Sequence, residues 1–196
     1  MGMREFVQQH FKDSIEVKNR IYQDADLMGL VEEASKLCLE TIEAGNKIII
    51  AGNGGSAADA QHIAAEFVAR FYFDRPAIAA IALTTDTSVL TAVANDYDYD
   101  YVFARQIEAM GAQGDVFIAI STSGNSANII KAVEAAKNKK MKVIGLSGAA
   151  GGKLAGLSEL ALKIPSDDTP RIQESHILIG HIICAAVEEF KFGSSK

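Results

Sequence analysis

The stretch GDVFIAISTSGNSANIIKAVEAAK, residues 114–137, runs through three kinds of chain in turn. Residues 115–120, DVFIAI, are short, apolar and partly β-branched, as a strand buried on both faces must be. Residues 125–137 repeat their apolar positions at helical spacing. Between them, four of the six residues from Ser121 to Ser126 carry hydroxyls, and the other two are Gly124 and Asn125. The stretch is one strand–loop–helix unit, and the fold follows from how often that unit recurs.

It recurs along most of the chain. KIIIAG (47–52), AIAAIAL (77–83), KVIGLS (142–147) and ELALKI (159–164) are further short apolar runs. Helical patterns cover 57–71, 86–94 and 171–190. Continuous apolar strands alternating with helices predict a parallel sheet covered on both faces. The fold class is therefore α/β, a three-layer α/β/α sandwich with a five-stranded parallel sheet. Residues 1–45 read as a helical arm in front of it. Leu27, Leu30, Val31, Ala34, Leu37, Cys38 and Ile42 fall on one helix face, and Gly45 reads as the stop. Such an arm cannot bury its stripe alone, so it is expected to pack on the body (46–196), on another subunit, or on both. No repeat, low-complexity tract or linker divides the chain, which reads as a single structural unit.

Bulk properties exclude several classes. The 196 residues are 48% hydrophobic and 22% charged, an ordinary composition for a soluble domain. No apolar run approaches the roughly 20 residues that span a bilayer. The N-terminus MGMREFVQQH carries charges where a signal peptide needs an apolar core, and Phe6 stands where a myristoylation signal needs Ser or Thr. A cytoplasmic protein without a membrane partner is expected. The net charge of −6 gives no general attraction for nucleic acid. Cys38 and Cys184 lie in apolar contexts and read as buried thiols rather than a disulfide or metal pair.

Open parallel sheets bind ligands beyond the carboxyl ends of their strands. Two loops suit that place: AGNGGSAADAQH after the first strand and STSGNS after the third. In each, glycine admits a ligand close to the backbone, and the helix that follows presents free N–H groups to an anion. Ser121, Thr122, Ser123 and Ser126 thus form a candidate phosphate cradle. Ser, Thr, Asn and Gly also cap helices and make turns, and one such loop alone reads better as a cap. Two of them at strand ends weigh toward a site. Neither is a nucleotide fingerprint: Ala57 replaces the third glycine of G-x-G-x-x-G, and no P-loop lysine is present. No nucleotide cofactor is expected.

His62 and Glu66 lie four apart on one helix face. Glu66 sits among Ile63, Ala64, Ala65, Phe67 and Val68, where desolvation would raise a carboxyl pKa toward base strength. A solvated helix pair explains the spacing equally simply. In the last helix, His176 and His181 fall among apolar residues, Glu174 shares a face with His181, and Gln173 lies roughly 80° from it. Sequence does not show whether the two helices meet.

Four segments together, AGNGGSAADAQHIAAEF, LTAVANDYDYDYVFARQI, GDVFIAISTSGNSANIIKAVEAAK and RIQESHILIGHIIC, resemble the sugar-isomerase (SIS) family. The similarity extends over nearly the whole chain, with 46–196 as the SIS domain. It is strongest to the branch that isomerises sedoheptulose 7-phosphate to heptose 7-phosphate, for lipopolysaccharide or capsule. The resemblance implies a homotetramer with sites at subunit interfaces. It implies that Ser121, Thr122, Ser123 and Ser126 hold the phosphate, and that Asn53, Gly54, Gly55, Ser56, Asn95, Asp96 and Gln173 line the sugar. Glu66, also at the substrate, and His181 match the family's acid/base pair. Zinc is implied at His62, Glu66, Gln173 and His181.

Two rival readings share the scaffold. The DnaA initiator-associating protein, a non-catalytic adaptor, has the loops and the Gln-Glu motif but lacks counterparts of Glu66 and His181. SIS-domain regulators that sense sugar phosphates carry a DNA-binding domain, and residues 1–45 do not read as one.

Overall fold

Five parallel strands form in the computed structural model, whose described residues are 1–193. Two helices lead, α1 (Met3–Gln23) and α2 (Ala25–Glu43). The order then runs β1 (Ile48–Ala51), α3 (Gly55–Val68), β2 (Ala80–Ala82), α4 (Thr87–Asp96), a 3₁₀ turn (Tyr99–Tyr101) and α5 (Ala104–Met110). It closes with β3 (Val116–Ile120), α6 (Ala127–Asn138), β4 (Lys142–Ser147), α7 (Gly152–Leu157), β5 (Leu160–Lys163) and α8 (Thr169–Phe192). The sheet order is β2-β1-β3-β4-β5, with Ile49 opposite both Ile81 and Phe117, Ile118 opposite Ile144, and Leu146 opposite Leu162.

Each strand feeds two cores because successive side chains point to opposite faces. Ile48, Ile50, Val116, Ile118, Ile144 and Leu146 enter a core closed by α1, α2, α3 and α8. Ile49, Ala51, Phe117, Ala119 and Val143 enter the other, closed by α5, α6 and α7. This explains the continuous apolar runs and gives the expected three layers. Strand two is shorter than the apolar run 77–83: Ile78 donates its N–H to Phe67 at the end of α3, so pairing begins only at Ala80. Both cysteines are free and buried, as expected, and burial pushes the Cys38 thiol up to about 12.

Helix α2 lies in the first core through Leu27, Val31, Ala34 and Cys38. Helix α1 buries little beyond Val17 and Ile21, and Lys18 ties it to Glu174 of α8 at 2.7 Å. Met3, Phe6, Val7, Phe11 and Ile15 of α1 stand exposed. Among the described residues no helix is long and apolar enough to cross a membrane.

His176 is fully buried on α8, with Nε2 3.2 Å from the Ser147 carbonyl and Nδ1 unpartnered. It is a core histidine, not a member of the site. Burial lowers its pKa from 6.5 to about 4, against the opposing pull of that carbonyl. Between those values the unfolded chain holds the proton and the folded chain does not. The neutral ring therefore costs nothing above the unfolded pKa, and stability is lost as pH falls toward the folded one. Between pH 7.5 and pH 5 this one group accounts for about 2 kcal/mol. Urea unfolding of His176→Leu at both pH values should show an acid loss smaller than the wild type's by that amount.

Candidate active site

The strand order reverses between β1 and β3, whose following helices leave for opposite faces of the sheet. Such a switch point opens a crevice at the carboxyl ends of the two strands. The two Gly/Ser loops flank it. They are joined by a reciprocal amide pair: Asn53 Nδ2 donates to Asn128 Oδ1 at 2.9 Å, and Asn128 Nδ2 to Asn53 Oδ1 at 2.8 Å. Gly54, Gly55 and Ser56 follow at the start of α3, Ser56 donating its N–H to the Asn53 carbonyl.

Across the crevice the hydroxyls converge. Ser121 Oγ lies 3.0 Å from Ser126 Oγ and 3.5 Å from Ser123 Oγ. Ser126 is the residue before α6, yet its side chain caps no helix N–H. The hydroxyl is turned into the cluster instead, so the Ser126 side chain does not serve as the cap of α6. Thr122 is half-buried, and its carbonyl accepts from Gly148. Gly124 has φ +66°, and a Cβ there would meet the Gly151 carbonyl oxygen, so the cradle closes only with glycine.

A second cluster forms where α3 crosses α8. Ile63 packs directly against the bare backbone of Gly180: a Cβ there would sit 2.5 Å from Ile63 Cδ1, so one of the two would have to shift. Beside it His181 meets His62, Nε2 to Nε2 at 2.9 Å. Glu66 Oε1 lies 3.3 Å from the same His62 nitrogen. The helices do meet, and one histidine touches both members of the expected acid/base pair. His62 is half-exposed and the Glu66 carboxylate 22% exposed, so the cluster is open to a ligand. Above it, Gln173 Nε2 donates to both oxygens of Asp59 at 3.2 Å. Burial raises the Asp59 pKa, against the lowering by the Gln173 hydrogen bond and the nearby His62 and His181.

Asn95 and Asp96 stand apart. They are exposed at the end of α4 and bond each other at 2.8 Å, and among the described residues no hydrogen bond joins them to either cluster. Glu174 turns to Lys18 of α1 and to Arg171 of its own helix. Asp59 and Asn128 were missed by the sequence reading. Asp59 had a signal, three residues before His62 on the same helix face.

The expected zinc ion is overturned. Among the described residues no group of three or more His, Cys, Asp or Glu side chains could hold a metal. The His62 and His181 nitrogens stand 2.9 Å apart, closer than the roughly 3.3 Å between two ligands of a tetrahedral zinc. Gln173 turns its amide nitrogen to Asp59.

The SIS domain profile matches residues 9–148. Phosphoheptose isomerase 2 of Campylobacter jejuni is 60% identical over 192 residues, covering 98% of this chain and 96% of its own. The phosphoheptose isomerase of Aneurinibacillus thermoaerophilus is 58% identical over 190 residues, covering 97% and 96%. The chain belongs to the SIS-domain phosphoheptose isomerases. The solved phosphoheptose isomerase GmhA of Neisseria gonorrhoeae superposes on this isomerase with a TM-score of 0.90 at 45% identity, over 96% of this chain and 100% of that one. Likeness at this level makes the chain an enzyme that isomerises a phosphorylated sugar of heptose metabolism, which sets the adaptor and sensor readings aside.

If the hydroxyl cradle takes the phosphate, Ser121→Ala and Ser126→Ala should raise KM for the sugar phosphate about tenfold or more, since each loses hydrogen bonds to a charged group. Binding of the unphosphorylated sugar should change little. Isothermal titration with both ligands measures the difference, and equal losses would reduce the loop to a structural turn.

Proposed function

We propose that the isomerase converts sedoheptulose 7-phosphate to D-glycero-D-manno-heptose 7-phosphate through an enediol, supplying activated heptose for lipopolysaccharide or capsule. The reaction moves one proton from C1 to C2 and another from O1 to O2. Glu66 takes the C1 proton, the C–H electrons become the C1–C2 double bond, and the same carboxyl returns the proton at C2. His181 takes the O1 proton and delivers one to O2. The observation that carries this reading is the contact of both residues with one His62 nitrogen, at 3.3 and 2.9 Å. The neutral donors at Ser121, Thr122, Ser123 and Ser126 hold the phosphate, helped by the α6 N-terminus. Asn53, Gly54, Gly55, Ser56 and Gln173 face the sugar.

The working unit in this reading is a homotetramer with sites at subunit interfaces. Two features support it: the exposed apolar stripe of α1, and an α4 that buries none of its residues while carrying Asn95 and Asp96. Residues 1–45 then form an assembly arm for the body 46–196. Two buried free thiols suit a reducing cytoplasm, and the net charge of −6 speaks against a nucleic-acid partner.

The test is incubation with sedoheptulose 7-phosphate followed by NMR, with heptose 7-phosphate as the expected product. Pentose and hexose phosphates run in parallel should turn over more slowly. Glu66→Gln should fold and bind substrate yet lose about 10²-fold or more in kcat, the usual worth of a positioned acid/base group. Light scattering should return four times the 20.9 kDa chain mass. Wild-type turnover by Glu66→Gln would remove the residue from this role.

A further inference from the structure

Seven residues beyond His181 on α8, Glu188 is completely buried, and so is the side chain that pairs with it, Arg75, at 3.0 Å. An ion pair with both members out of water is costly unless further hydrogen bonds satisfy every donor and acceptor. Here they do. The Glu188 carboxylate also accepts the backbone N–H groups of Phe71, Tyr72 and Phe73. Burial pushes its pKa up, but those three donors and the Arg75 charge outweigh it, and the carboxyl stays below its ordinary range. Nη1 reaches the Pro76 carbonyl of its own loop at 3.1 Å, and the guanidinium otherwise turns on the end of α3: Nη2 donates to the Glu66 carbonyl at 2.9 Å, and Nη1 to Phe67 at 2.8 Å and Ala69 at 3.2 Å. These are carbonyls at a helix C-terminus, where intrahelical partners run out and a cation is favoured. The loop held by Glu188 places the Phe71 ring 5.6 Å from the His181 ring.

We propose that Arg75 and Glu188 are positioning residues for the isomerisation: they lock the last turn of α3, which carries Glu66, to the helix that carries His181. The proposal rests on the acid/base reading given above. The geometry separates this role from simple stabilisation. The clamp grips the Glu66 carbonyl and the loop against His181, and none of its bonds reaches the Asn53 loop or the Ser121–Ser126 cradle. Loosening it therefore displaces the base and leaves substrate anchoring in place. Lysine at 75 keeps a charge for Glu188 but cannot donate to Glu66, Phe67 and Glu188 from one rigid plane.

The test is a kinetic cycle of wild type, Arg75→Lys, Glu66→Gln and the double variant with sedoheptulose 7-phosphate. Folding is checked by circular dichroism. Arg75→Lys should lose about 10- to 100-fold in kcat, the effect of a misplacement near 1 Å, with KM within about threefold of wild type. In the Glu66→Gln background the same change should cost several-fold less, because Arg75 acts mainly through Glu66. Arg75→Ala, assayed with and without added guanidinium ion, covers the case in which lysine does not fit; guanidinium should restore its kcat. Wild-type kcat for Arg75→Lys beside an impaired Glu66→Gln overturns this proposal alone. So does an equal loss in both backgrounds, or failure of guanidinium to restore Arg75→Ala. Wild-type turnover by Glu66→Gln overturns the acid/base reading, and this proposal with it.

Discussion

The contact between α3 and α8 is the constraint on which the site depends. Two helices on one face of a parallel sheet ordinarily stand apart by the width of their interlocking side chains. Here α8 offers Gly180 where Ile63 of α3 needs room. Along the same contact two imidazoles meet at 2.9 Å from residues that are 119 positions apart in the chain. The same faces carry Gln173 to Asp59 at one end and Glu188 to the Arg75 loop at the other. Polar contacts therefore run along the whole seam, with the apolar packing of Ile63, Ile179 and Ile183 beside them.

The sheet supplies the second half of the arrangement. Its order reverses once, and the two loops that need glycine and small hydroxyls are those on either side of the reversal. A chain with a net charge of −6 does not attract an anion from a distance. In the reading proposed above, an anion is held at short range by the hydroxyls gathered at Ser121, Ser123 and Ser126. The segment after β4 completes that cradle: Gly148 donates to Thr122, Lys153 donates its N–H to Asn125 Oδ1, and Leu154 donates to Gly124. The cradle is built from three strand–helix connections, not one.

The fold was legible because burial on both faces keeps β1 and β3 apolar throughout, and the other three strands are apolar at most positions. The elements that escaped were short. Helices α5 and α7, with seven and six residues, make too few turns for a periodicity to show. In the site, the four-residue spacing of His62 and Glu66 was visible, but their meeting with His181 depends on tertiary packing that no local pattern records. Glu188, beside Glu189 near the end of α8, drew no reading from the sequence, yet it is fully buried. The zinc expectation failed for a related reason. Suitable ligand types were present, but ligand type does not fix where a side chain points, and here Gln173 and both histidines satisfy one another or Asp59. His176, which the sequence places among apolar residues and in no site, is indeed core.

The amide pair between Asn53 and Asn128 carries a consequence for the chemical lifetime of the molecule. Asn53 is followed by Gly54, the neighbour that least obstructs attack of a backbone nitrogen on an asparagine side chain. Loss of ammonia there would turn Asn53 into an acid, and an oxygen would replace the nitrogen that now donates to Asn128 Oδ1. Two acceptors would then face each other beside a residue that is only 3% exposed. An aged preparation would keep its fold, held by cores elsewhere, while the two halves of the crevice lost their covalently encoded match.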